Sequence, residues 1–295
     1  MRSDHAQQLG DRYRLISPLG QGGMGIVWRA HDRRLARDVA IKELRPTRHD
    51  DEHEVRRARR HALREARSAA RLSHPAIVTV HDLLEEDGRL WIVMELVEAL
   101  TLQATAWHLG RLPVHWTAWI GFHLLGGLRH AHAAGVLHRD IKPGNVLLTG
   151  DRVVLSDFGI AVLQDDDTSH QTNTMPIVGS PGYIAPERLR GHPATQAADL
   201  WSFGATLYFS VEGRPPGSGD GDLLTARPPG EARPPRRAGA LRALLEGLLR
   251  PDPVDRLSSD QAVLLLSEIL RKEGIAVPPM RLTGDEMLPP GAFTM

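Results

Sequence analysis

A chain of 295 residues with 41% hydrophobic and 24% charged side chains can bury one large core or two lobes, and 36 basic against 36 acidic residues leave no net field to draw it to nucleic acid or anionic lipid. The absence of cysteine excludes disulfides, thiolate metal sites and a cysteine nucleophile, and fits a reducing, cytoplasmic setting. The polar opening MRSDHAQQLGDRY does not read as a secretory signal, and no apolar run reaches the roughly 18 to 20 residues of a membrane span, so a soluble protein is expected.

Residues 1–11 read as an N-terminal tail. From 12 to 44, short alternating runs with glycines clustered between YRLISPL and IVWRA, followed by DVAIKEL, predict a small antiparallel sheet. Between 51 and 72 the period changes: Val55, Ala58, Ala62, Ala66 and Ala69 form one apolar stripe of an amphipathic helix whose Arg-rich opposite face is solvated. Strand-like runs return at AIVTVHDLLEE and LWIVMELV. Beyond 98 the pattern is helical, at 114–135, 194–212, 238–250 and 258–272, with one hairpin whose turn is Thr149, Gly150 and Asp151. The fold class is therefore α+β and bilobal: a strand-rich lobe over 12–97 and a helical lobe over 98–272, with a cleft between. Within the second lobe, 213–235 is too rich in proline and glycine for a regular element, and 273–295 reads as a mobile, proline-punctuated tail.

Residues 20–27, GQGGMGIV, place Gly20, Gly22 and Gly25 where a strand–turn–strand can lie against a polyphosphate and present backbone N–H groups. The strand continuing after the glycines argues against a dinucleotide fold, which needs a helix there. Of the 36 Lys and Arg residues, only those at 42, 142 and 272 are lysine. Lys42, one hairpin beyond Val27, can return beneath the glycine loop, where a compact ammonium fits between phosphate oxygens better than a planar guanidinium. Glu65, at the rim of the alanine stripe, can reach inward to pair with Lys42. The stretch HRDIKPGN puts Asp140, Lys142 and Asn145 in one short loop, and DFG adds Asp157. A base for a hydroxyl proton, a cation against a phosphate, and two oxygen donors for Mg²⁺ are what in-line phosphoryl transfer requires.

These phrases, with LGQGGMGIV, VAIK, GSPGYIAPE, DLWSFG and DPVDRLS in the same order, resemble the bacterial eukaryotic-like serine/threonine protein kinases over roughly residues 12–272. The resemblance implies ATP as phosphate donor with Mg²⁺ or Mn²⁺. It assigns Lys42 to the α- and β-phosphates in a pair with Glu65, Asp140 as catalytic base, Lys142 to the transferred phosphate, and Asn145 and Asp157 to the metal. It lines an adenine slot with Leu19, Val27, Ala40 and Leu147, with Met94 as gatekeeper and the backbone of Glu95 and Val97 as hinge. It further implies a structural pair between Glu187 and Arg256, an anchor from Asp199 to the catalytic loop, core roles for His138 and Phe158, and protein Ser/Thr acceptors; relatives often pair through their strand-rich lobes, which leaves a homodimer open for this chain. Thr172 and Thr174 resemble the paired threonines that such enzymes autophosphorylate, with Arg139 as the phosphate's partner. Gly217 stands where the family has phenylalanine, which makes the 213–235 segment atypical.

Overall fold

The computed structural model of the chain describes residues 8–22, 25–44, 52–86, 88–158, 182–217, 232–278 and 280; for 22, 52–59 and 61 it describes the backbone alone. The strand-rich lobe is a six-stranded antiparallel sheet in the order β1-β2-β3-β4-β6-β5. Its strands are β1 (Gln8–Leu9), β2 (Tyr13–Gly22), β3 (Gly25–Asp32), β4 (Arg37–Leu44), β5 (Val80–Glu86) and β6 (Arg89–Glu95). The register sets Gly20 opposite Val27 and Val27 opposite Lys42, so the glycine hairpin and Lys42 lie on adjoining strands as their spacing predicts. Helix α1 (Glu52–Ala69) packs on this sheet through Ala62 and Ala66, which are buried with Leu44, Leu90 and Ile92.

The sheet begins earlier than the sequence suggested. Residues 8–11, expected in the tail, form β1 and its turn: Gly10 has φ +55, Gln8 and Leu9 pair with Arg14 and Tyr13, and Leu9 is buried beside Tyr13 and Leu15. Burial of one leucine supplies what the short polar run does not advertise. Close by, the Arg12 guanidinium donates to both oxygens of Asp32, at 2.9 and 2.7 Å, and to Asp82 Oδ2 at 3.0 Å. The bonds from Arg12, which outweigh the opposing effect of burial, lower the Asp32 carboxyl from 3.8 to about 2. A depressed folded-state value contributes stability that is complete above the unfolded value and is lost as pH falls towards the folded one. In urea titrations, Asp32→Asn is therefore expected to cost about 2 kcal/mol at neutral pH. The gap to wild type should narrow as pH drops below about 4; a gap independent of pH would contradict the pairing.

A second sheet, β7 (Leu100–Thr101), β8 (Val146–Leu148) and β9 (Val153–Leu155), opens the helical lobe. Its helices are α2 (Leu102–Leu109), α3 (Val114–Ala133), α4 (Pro186–Leu189), α5 (Gln196–Glu212), α6 (Arg242–Leu248) and α7 (Ser259–Lys272). Every residue of α5 from Ala198 to Glu212 is buried, which an all-round apolar sequence such as LWSFGATLYFSV requires. Thr195 caps it at the start, accepting from Ala198 N, and Gly213 ends it with φ +75. The S-x-x-Q signature at Ser258 and Gln261 closes a capping box on α7. Residues 273–280 do not all lie in a free tail. Gly274, at φ +70, terminates α7 so that Ile275 N donates to Leu270 O at 2.9 Å, and Ile275, Val277 and Met280 pack on the helical core. Residues 281–295, and 218–231 of the Pro/Gly-rich segment, lie outside the described residues.

Candidate active site

The loop carrying Asp140 leaves α3 and is held from beneath by α5. Asp199, in the first turn of that helix, accepts from the backbone N–H of His138 (2.9 Å) and of Arg139 (2.8 Å), and from His132 Nε2 (2.8 Å). Burial raises the Asp199 carboxyl, but the bond and charge of His132 and the backbone donor outweigh this and hold it below the usual range. The anchor that the resemblance implied is thus present. His132 is the partner that sequence reasoning missed; nothing in LRHAHAAG separates it from His130. With Asp199 as clamp, Arg139 adopts φ +69, a left-handed conformation that a side-chain-bearing residue holds only when its surroundings over-determine it.

His138 is fully buried, and burial pushes its imidazole below the usual value, so it is neutral. Its tautomer follows from its partners: Asp140 N–H donates to Nδ1 at 3.2 Å, so Nε2 carries the proton and donates to Ser156 O at 2.8 Å. That second bond ties the Asp140 loop to the segment carrying Asp157. The His138 ring also packs, tilted by 60° with centroids 4.6 Å apart, against Phe158, which is buried, so both residues take the core roles expected of them.

Asp140, Lys142 and Asn145 converge. Lys142 Nζ lies 2.6 Å from Asp140 Oδ2; Asn145 Nδ2 donates to the same oxygen at 3.1 Å and to Asp140 O at 2.8 Å. Because the amide nitrogen of Asn145 is turned to Asp140, its oxygen is the atom left to face the other way, and it is an oxygen that a hard cation requires. Asp157, at φ +65, points its carboxylate at Lys42, with Nζ 2.6 Å from Oδ1. Burial opposes its ionisation, but the Lys42 charge and hydrogen bond hold it below the ordinary carboxylate range. One carboxylate and one amide oxygen fit Mg²⁺, which keeps water and substrate phosphates as its remaining ligands. Among the described residues no cluster of three acidic or imidazole groups offers a self-sufficient metal cage.

The expected pair between Lys42 and Glu65 is not formed. Lys42 is matched by Asp157, and Glu65 instead faces Arg139, Oε1 to Nη1 at 3.6 Å. The positive φ at Asp157 brings a carboxylate within contact of the buried ammonium, and the positive φ at Arg139 aims a guanidinium towards α1, so two separate neutral pairs satisfy four charges. The Arg139 Nε is buried with no hydrogen-bond partner.

Above these groups lies an apolar cluster drawn from both lobes: Ala40, Val78, Met94 and Val154 are buried, with Val27, Leu96, Val97 and Leu147 packed against them. Of the residues assigned to the adenine slot, Val27, Ala40, Met94, Val97 and Leu147 therefore come together. Leu19 stands apart on β2, half exposed. Val78, Leu96 and Val154 were not foreseen; each sits in an apolar run whose inward face only the sheet register decides. Glu95 N–H donates to Thr79 O at 2.9 Å, which ties the end of β6 to the segment leading into β5. Gly20, Gly22 and Gly25 flank the hairpin tip, and Gly25 has φ +143. Thr172 and Thr174 lie outside the described residues. Glu187 and Arg256 do form the expected pair, bidentate at 2.7 and 3.0 Å and buried on both sides.

Residues 13–265 match the model of the protein kinase domain. Serine/threonine-protein kinase PknA of Mycobacterium tuberculosis is 39% identical over 261 residues, covering 85% of this chain and 59% of that protein. Serine/threonine-protein kinase PkaA of Streptomyces coelicolor is 38% identical over 290 residues, covering 91% of this chain and 51% of that protein. The chain thus spans about half the length of the curated relatives it matches. The crystal structure of the Mycobacterium tuberculosis PknI kinase domain superposes with a TM-score of 0.69 at 32% identity, over 89% of this chain and 98% of that one. With its bilobal fold and clustered loop residues, the chain belongs to the protein kinase family, and its relatives within it are bacterial serine/threonine kinases.

Proposed function

We propose that the chain is an ATP-dependent protein serine/threonine kinase. The observation that carries this reading is the meeting of Asp140, Lys142 and Asn145 in one clamped loop, linked through His138 and Ser156 to the Lys42–Asp157 pair. Adenine enters the apolar cluster of Val27, Ala40, Met94 and Leu147 beneath Leu19, against the backbone of Glu95 and Val97, while Gly20, Gly22 and Gly25 cover the phosphates. Lys42 neutralises the α- and β-phosphates. Asp140 orients the acceptor hydroxyl and takes its proton as the oxygen bonds to the γ-phosphorus and the bond to the bridging oxygen breaks. Lys142 then exchanges its bond with Asp140 for the transferred phosphate. Asn145 and Asp157 hold Mg²⁺, or Mn²⁺ in its place, which neutralises charge on the phosphates when bound. The names of the relatives and the lysine two residues past Asp140 favour protein Ser/Thr over tyrosine.

The test is transfer of labelled phosphate from Mg·ATP to the chain itself, to a generic basic protein and to a panel of small alcohols. Transfer to protein hydroxyls is expected. Transfer only to alcohols would indicate a small-molecule kinase, and none with either metal a binding scaffold. A second copy of the chain is the first protein substrate we assign, with Thr172 and Thr174 as acceptors. Phosphate there adds about −1.5 to −2 charges and would compete with Glu65 for Arg139, freeing Glu65 towards Lys42. Mass spectrometry after incubation with Mg·ATP should find both threonines modified in the wild type and unmodified when Asp140 is replaced; an active enzyme with bare threonines would refute the assignment.

A further inference from the structure

The loop joining α1 to β5 belongs in sequence to the strand-rich half, yet its backbone is bonded to the helical lobe. Leu155 N, on β9, donates to Ala76 O at 2.9 Å, and Val78 N donates back to Leu155 O at 3.0 Å. Gly127 of α3 lets this loop approach closely: a Cβ there would lie 3.0 Å from Ala76 O. The segment 74–79 thus forms an axis pinned to the helical lobe, from which β5 enters the sheet. Arg152, in the turn between β8 and β9, reaches this axis and the hinge at once. Its Nε and Nη2 donate to Pro75 O at 3.3 and 3.1 Å, and Nη2 also donates to Glu95 Oε1 at 3.2 Å. Its own backbone is set by Thr149, whose Oγ1 accepts from Arg152 N at 2.8 Å. A planar guanidinium can serve a carbonyl and a carboxylate from one fixed fork, which a lysine ammonium does less well.

The two ends of this bridge flank the nucleotide slot. Glu95 follows Met94 and precedes Leu96, and Val154 lies two residues beyond Arg152; all three neighbours belong to the apolar cluster. We propose that Arg152 is a positioning residue for the nucleotide: by bracing Glu95 against the 74–79 axis, it fixes the spacing between the hinge strand and β9, and so the width of the adenine slot. This rests on the kinase reading for its substrate but not for its first measurement.

That measurement is the affinity of the full chain for ATP with Mg²⁺, by calorimetry. Arg152→Ala and Glu95→Ala should each weaken binding about fivefold, the size that a half-exposed ion pair supports. The double replacement should be no weaker than either single one, and Arg152→Lys should fall between Arg152→Ala and wild type. In turnover, Arg152→Ala should raise the KM for ATP by the same factor, while kcat and the KM for the protein substrate stay within about twofold. Unchanged affinity in Arg152→Ala overturns the proposal, as do additive losses in the double variant, or a loss that spreads equally to kcat and protein-substrate KM with a lower melting temperature. A wild type that binds ATP but transfers no phosphate sinks the kinase reading alone, and a wild type that binds no ATP sinks both.

Discussion

Replacing Asp140 by asparagine is expected to lower phosphate transfer about 10³-fold while leaving ATP affinity within about twofold. The amide is nearly isosteric with the carboxylate, and the loop that holds it is fixed independently by Asp199 beneath and by His138 behind, so the geometry survives. What is lost is the proton acceptor and the charge that Lys142 faces at 2.6 Å. Single-turnover transfer read beside equilibrium binding separates the two effects. A variant that keeps more than a tenth of the wild-type rate would mean that the hydroxyl proton goes elsewhere, and Asp140 would then be an orienting group only.

Arg256→Ala is the replacement with the largest expected cost to stability, about 3–5 kcal/mol in urea or thermal unfolding. Glu187, in the first turn of α4, is buried, and without Arg256 its carboxylate has no counter-charge at contact distance. The guanidinium also donates to Ala197 O at 2.6 Å and to Arg250 O at 3.2 and 3.1 Å, and it lies 5.3 Å over the ring of Trp201. Removing it therefore strands a charge and several carbonyls together. Replacing both partners with apolar residues, Glu187→Leu with Arg256→Met, should cost less than Arg256→Ala alone, because no ion is then left buried. If the single replacement cost under about 1 kcal/mol, water would have to reach this pair, contrary to its burial.

Residue spacing made much of the site legible. Asp140, Lys142 and Asn145 sit within six residues of one loop, so covalent proximity alone nearly guarantees their meeting, and the chain's sparing use of lysine marked Lys42 and Lys142 before any fold was known. The alternating runs and the alanine stripe foretold the strands and α1 because local periodicity and burial agree there. The misses share one cause. Leu9 and Gly10 gave too short a signal to reveal β1, and the tail after α7 read as mobile from its prolines, whereas the turn at Gly274 lets Ile275, Val277 and Met280 reach the core.

By itself the sequence determined the chemical groups, their order, the loop that gathers three of them, and the family to which those phrases point. Tertiary structure alone decided who pairs with whom across the cleft: Lys42 with Asp157, Glu65 with Arg139, and Arg152 with Glu95 and Pro75. Such contacts join elements far apart in the chain, and whether a carboxylate meets one cation or another turns on a few ångströms of helix placement and on the left-handed backbone at residues 139 and 157. Coulomb energy varies steeply over that range, while the spacing of letters along the chain does not encode it.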